Sequence, residues 1–140
     1  MYTTLYQMEK RSIGKLSKET GLSVQTIRYY EQLGILPEPE RTKSGYRNYS
    51  DNYGEYINFI KNAQKVGFSL DEIKTLVNLR SSKSALGKDV KKVIQGKIKE
   101  INEQIESLNT TKAYLESLNQ SCSGKMTTAK CPIINKLKSS

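Results

Sequence analysis

The 140-residue sequence predicts a mainly α-helical protein, and three features carry that expectation. Short amphipathic helical patterns recur through the first half, each closed by glycine or proline. One ribbon-like stretch interrupts them. From about residue 94 onward the apolar residues fall into a single long stripe, spaced alternately four and three apart.

Taken in order, residues 12–21 read as a short helix. Ser12 can cap its start, Ile13 and Leu16 share a face, and Gly21 suits the left-handed position past its end. Leu22 is a buried plug at the turn. Ser23 then caps a second helix that turns Val24, Ile27 and Tyr30 inward. A helix, a short turn with glycine and a second helix form a helix-turn-helix, whose second helix enters the major groove of DNA. The run from Gly34 to Glu40 ends that helix, since Pro37 and Pro39 cannot continue it. Residues 41–50 follow with Gly45 at a tight turn, flanked by residues able to extend as a small β-ribbon. Arginine, lysine and tyrosine at such a tip suit contact with phosphates, through charge and a phenolic donor.

Residues 51–66 return to a helical pattern with Tyr53, Tyr56, Ile57 and Ile60 clustered, and Gly67 breaks it. Ser69 and Glu72 form a capping box for a further helix through Leu70, Ile73, Leu76, Val77 and Leu79. Residues 81–87 are small and polar and read as a hinge. Over residues 88–119, Ile94, Ile98, Ile101, Ile105 and Leu108 make a heptad seam, which Lys112 interrupts and Leu115 resumes. Thirty-two residues give a helix about 48 Å long. Such a stripe needs a partner: a second copy in an antiparallel homodimer is expected, with packing onto the chain's own amino-terminal domain as the alternative. Residues 121–130 form a loop, and residues 131–137 a short helix with Pro132 at its first position. The expected segments are a winged helix-turn-helix over residues 1–80, a hinge and dimerisation helix over 81–120, and a loop with a terminal helix over 121–140.

Composition narrows the function. No histidine is present, no nucleophile–base pair or phosphate loop can be traced, and an enzyme is not expected. No apolar run approaches the ~18 residues of a membrane span. The first eleven residues lack a secretory pattern, so a cytoplasmic location is expected. Net charge is +9, but residues 1–80 carry twelve Lys and Arg against nine Asp and Glu, and residues 81–140 eleven against five. Charge alone therefore does not mark a DNA-binding domain; motifs must do so.

Those motifs resemble the MerR family of regulators. Thr26-Ile-Arg-Tyr-Tyr-Glu-Gln-Leu-Gly-Ile-Leu36 is similar to its recognition-helix segment, and Gly45-Tyr-Arg-Asn-Tyr49 to its first wing. Gln64-Lys-Val-Gly-Phe-Ser-Leu-Asp-Glu-Ile73 resembles its second helix-turn-helix element. The likeness runs over residues 12–137. It implies DNA contacts, mostly at phosphates, from Arg28, Tyr29, Tyr46, Arg47 and Tyr49. Ser23 and Gln25, at the exposed start of the second helix, are candidates for base edges. Lys61, Gln64 and Lys65 are candidates for further backbone contacts, whereas Tyr30, Tyr53 and Tyr56 read as core. The resemblance also implies promoter DNA, a homodimer and RNA polymerase as partners, with the promoter distorted when an effector binds.

Cys122 and Cys131, with eight residues between them, resemble the carboxy-terminal loop of the metal-sensing branch. Two thiolates suit linear coordination of soft Cu(I), Ag(I), Au(I) or Hg(II), whereas zinc normally takes four ligands. A cysteine at a helix start is expected to have a depressed thiol pKa. By the same resemblance, divalent-metal and mercury sensors carry a third cysteine where this chain has Gly87. Copper-type sensors carry serine there and a loop one residue shorter. Met126 is a further soft donor in the loop, and a methionine there can equally be incidental. A Cu(I)-like effector is expected. Hg(II) or another soft divalent ion is the alternative, as are a redox or organic signal and a pair of inert thiols.

Overall fold

A computed structural model describes residues 11–139; the amino-terminal stretch read for a secretory pattern lies, apart from Arg11, outside the described residues. Among those residues the protein is mainly helical: α1 (Ile13–Thr20), α2 (Val24–Gln32), α3 (Asn52–Lys65), α4 (Leu70–Ser81), α5 (Gly87–Gln120) and α6 (Pro132–Lys138), with a two-stranded ribbon of β1 (Glu40–Arg41) and β2 (Arg47–Asn48). The strands pair antiparallel, with Glu40 opposite Asn48 and Arg41 opposite Arg47.

The helix starts follow the expected capping chemistry. The hydroxyl oxygens of Ser12, Ser23 and Ser69 accept from the backbone N–H three residues on, and Glu72 completes the capping box at Ser69. Such caps each contribute about 1 kcal/mol by satisfying N–H groups that the helix leaves open. The end of α2 falls where expected, at the head of the run from Gly34 to Glu40, and the glycine makes the stop. Gly34, at φ 77°, closes it before either proline is reached. The Ile35 N–H donates to the Tyr30 carbonyl and the Gly34 N–H to that of Glu31, a Schellman pair that reverses the chain. Ile35 thereby enters the core, and the prolines merely begin the run toward the ribbon.

The described residues divide into two compact units, one up to Val93 and one from Ile94 onward. In the first, α1 packs on α2 and α3, and α3 on α4. Leu16, Ile27, Ile35, Leu36, Tyr49, Ile57, Ile60 and Ile73 are almost wholly buried, and Val93, from the early turns of α5, packs against this core. Tyr30 and Tyr53 are buried with it, as expected. Arg80 joins α4 to α3 by stacking on Tyr56 and Phe59, 5.0 and 5.3 Å from their ring centres, and by an ion pair with Glu55.

In the second unit α5 continues to Gln120, making a helix about 51 Å long at 1.5 Å per residue. Its seam is open. Ile94, Ile98, Ile101, Ile105, Leu108 and Leu115 keep 37–67 % of their surface exposed. A loop and a 3₁₀ turn (Thr128–Lys130) lead from α5 to α6. No helix among the described residues is long and apolar enough to cross a membrane.

Candidate nucleic-acid interface and effector loop

The exposed face of α2 carries Gln25, Arg28, Tyr29 and Gln32, which line an open concave strip with Val24 and Thr26. A second concavity lies between the start of α1, Arg28 and the ribbon, where Ser12, Arg28, Arg41, Tyr46 and Arg47 converge. Arg28, Arg41 and Arg47 line this hollow beside the start of α1, and guanidinium groups and helix N-termini are donors of the kind that suits anions. Tyr46 is 74 % exposed at the ribbon tip. The tip itself is closed by bonds from the Thr42 N–H to the Tyr46 carbonyl and from the Gly45 N–H to the Thr42 carbonyl. The Arg41 guanidinium also donates to the Gly45 carbonyl, at 3.0 Å.

The structure removes one expected DNA contact from the surface. Tyr49 is 1 % exposed, because the residue after β2 turns inward. Its ring packs edge-on against Tyr53 at 5.0 Å, and its hydroxyl donates to Glu31 at 2.6 Å. Burial, with the Glu31 carboxylate beside it, pushes the Tyr49 phenol up to about 12, so it stays a neutral donor at ordinary pH. Glu31 takes a second bond from Arg47 at 2.9 Å, and its side chain is only 7 % exposed. The Tyr49 hydroxyl and the Glu31 carboxylate hold the Arg47 guanidinium above its ordinary value. Glu31, on α2, is therefore the tie between recognition helix and ribbon. Sequence reasoning missed it, although its place directly after Tyr29 and Tyr30 was in view.

Other candidates are engaged as well as exposed. The Ser23 hydroxyl serves the cap of α2 and lies 2.8 Å from that of Thr26, which leaves Gln25 as the free-standing polar side chain of the first turn. Lys61 donates to the Thr20 carbonyl and so closes the end of α1. Gln64 donates to the Tyr30 hydroxyl at 3.2 Å, and Lys65 is exposed at the end of α3. Arg11, a second residue missed, ties the ribbon to α1: it pairs with Glu19 at 3.0 Å and its N–H donates to Asn48 Oδ1 at 2.9 Å.

In the loop, Cys122 and Cys131 are free thiols with their sulfur atoms 3.4 Å apart, and the Met126 thioether lies 3.3 Å from Cys122 Sγ. Local bonds fold the segment: Cys122 donates its N–H to the Asn119 carbonyl, and Cys131 its N–H to that of Thr128. The backbone N–H of Ile134, then the Cys122 thiol and the N–H of Ile133, lower the Cys131 thiol below its ordinary value. Among the described residues no three His, Cys, Asp or Glu side chains gather where they could hold a metal. Two thiols and a thioether are soft donors that suit an ion accepting few ligands, and they are fewer than the four that zinc normally takes. Gly87 starts α5 with open space where a side chain would stand.

Comparisons with known proteins agree with this layout. The pattern of the MerR HTH family regulatory protein matches residues 11–79, and that of MerR, DNA binding, matches residues 55–118. A mercuric resistance operon regulatory protein of Bacillus cereus is 39 % identical over 91 % of this chain and 97 % of its own length. The HTH-type transcriptional regulator CueR of Salmonella typhimurium is 36 % identical over 90 % of this chain and 91 % of its own. Among solved structures, a transcription regulator from Ralstonia metallidurans in complex with lead(II) aligns with a TM-score of 0.80 and 32 % identity. That alignment covers 89 % of this chain and 97 % of the regulator.

Proposed function

Because this chain belongs to the MerR family of transcription regulators, we propose that it is a metal-responsive activator that binds promoter DNA as a homodimer and answers a soft ion of the Cu(I) or Ag(I) kind. The observation that carries the metal reading is the 3.4 Å approach of two free thiols in the terminal loop. Cys122 and Cys131 would hold the ion, whose bonds to sulfur supply the free energy that distinguishes the two states of the regulator. An effector shifts such an equilibrium only by its difference in affinity for them.

On the DNA side, Arg28 and Tyr29 of α2 and Tyr46 and Arg47 of the ribbon would engage phosphates, joined by Arg41 in the same hollow. Gln25 would face base edges, and Gln64 and Lys65 the backbone beyond. The open seam of α5 supports a second copy as its cover. Two reading heads at a fixed spacing can then bend and untwist the DNA between half-sites, which brings the promoter into a form RNA polymerase can use; the cost depends on the sequence deformed. The protein would act in the cytoplasm.

Hg(II) is the second reading, favoured by the likeness to the mercuric resistance regulator. Titration under reducing conditions with Cu(I), Ag(I), Hg(II), Zn(II) and Cd(II), with footprinting of the chain's own upstream DNA, tests the assignment. Protection of that DNA and one monovalent ion per loop, bound in preference to the divalent ions, are expected. Preference for Hg(II) would transfer the assignment to the second reading. Disulfide formation under mild oxidant without metal uptake would show a redox signal instead.

The DNA surface has its own check. Replacing Arg28 with alanine should weaken binding similarly on specific and unrelated duplexes and reduce the slope of log affinity against log salt by about 1. Selective loss on one sequence would mean that Arg28 reads bases.

A further inference from the structure

We infer that Met126 is a third sulfur ligand of the effector ion, so that the loop offers two thiolates and one thioether and selects monovalent soft ions over mercury. This rests on the metal reading of the same loop.

Three observations support it. The three sulfur atoms are linked by separations of 3.3 and 3.4 Å, with Cys122 in the middle, although Met126 and Cys131 stand four and nine residues from it. Apolar packing does not account for the thioether's place, since Met126 is 37 % exposed in a loop that holds no buried residue. The thiol separation is also too short for a straight two-ligand site. Two metal–thiolate bonds of about 2.3 Å span roughly 4.6 Å in a line. Sulfurs that kept their 3.4 Å separation would hold an ion at a bend, with one side of it open for a further donor. Met126 is the soft group nearest to hand.

The chemistry of the third donor decides what it favours. A thioether is neutral, so two thiolates and one thioether carry a charge of about −2, and a monovalent ion leaves the site at −1. Thioether sulfur binds Cu(I) and Ag(I) well. Hg(II), whose sensors in the resembled family carry a third cysteine, is matched by a third thiolate and gains less from a neutral thioether. Lys125 and Lys130, in the same loop, would offset the remaining negative charge.

The test is Met126→Leu in the full-length protein, a substitution of similar volume at an exposed site that should leave the fold intact. X-ray absorption of the Cu(I)-loaded wild type should show three sulfur neighbours, and the variant two with shorter bonds. By competition titration, Cu(I) and Ag(I) affinity should fall by about tenfold, within the range of supporting contacts at metal sites, while Hg(II) affinity changes by less than about twofold. Two sulfur neighbours in the wild type, or unchanged Cu(I) affinity in the variant, would overturn the inference while leaving the two-cysteine sensor standing. A wild type that takes up no soft ion would overturn both.

Discussion

Cys122→Ser and Cys131→Ser variants are expected to lose the metal response entirely while still occupying the promoter. Each substitution removes one of two thiols that sit 3.4 Å apart. Loss of a group that only supports a metal ligand costs about 10–100-fold in affinity, so loss of a ligand itself should cost at least about 100-fold. The fold has little stake in either position: both cysteines are half-buried in the terminal loop and neither belongs to the core. Surface changes of this kind stay within about 0.5 kcal/mol, which keeps promoter affinity within about twofold. Footprinting with and without Cu(I), together with transcription from the same template, reads both quantities. Continued copper-dependent activation by both variants would remove the sensing role from this loop. Loss of DNA binding in the absence of metal would show that the cysteines are structural.

The second large effect lies at Glu31. Its carboxylate is almost buried and receives Arg47 and Tyr49 at once, at 2.9 and 2.6 Å. Glu31→Ala strands the Tyr49 hydroxyl without an acceptor and leaves Arg47 without its counter-charge. Breaking a buried pair costs about 3–5 kcal/mol. The lower end applies here, because Arg47 keeps 36 % of its side chain exposed. A loss of about 3 kcal/mol should appear as a lower urea midpoint with the slope unchanged. Promoter affinity should fall at least about tenfold at temperatures where the variant is still folded, since the ribbon is no longer held against α2. A double-mutant cycle with Tyr49→Phe separates this from a general packing defect: the two changes share one hydrogen bond and should be non-additive by about 1 kcal/mol. Strict additivity would dissolve the proposed tie between recognition helix and wing.

Much of this protein could be read along the chain because the signals are local. A serine three residues before an open N–H, a glycine past a helix end and apolar residues at three- and four-residue steps act within one turn. The helices accordingly begin at Ser12, Ser23 and Ser69 as expected. The same locality explains the long helix and its stripe, whose period is its own evidence. The order of the motifs from Arg28 to Arg47 was enough to identify the family. The stop of α2 is local as well: Gly34, at the head of the run that also holds both prolines, turns left-handed and satisfies two carbonyls at once.

What the order of residues could not settle is which way side chains point where no period exists. β2 is two residues long, too short for alternation to show that Tyr49 faces inward while Tyr46 stays in solvent. Its partner Glu31 is 18 residues away, and only the packing of the ribbon on α2 brings them together. The same holds for the hollow shared by Ser12, Arg28, Arg41 and Arg47, drawn from three separate elements. In the loop, residue types alone suggested a two-thiol site. The folded backbone decided the distance between the sulfurs and placed Met126 beside them. The sequence by itself thus determined the family, the helices and the donor atoms. Tertiary packing decided which tyrosine supports the wing, which carboxylate holds it and how closely the three sulfurs approach, because those depend on contacts between segments that no local pattern encodes.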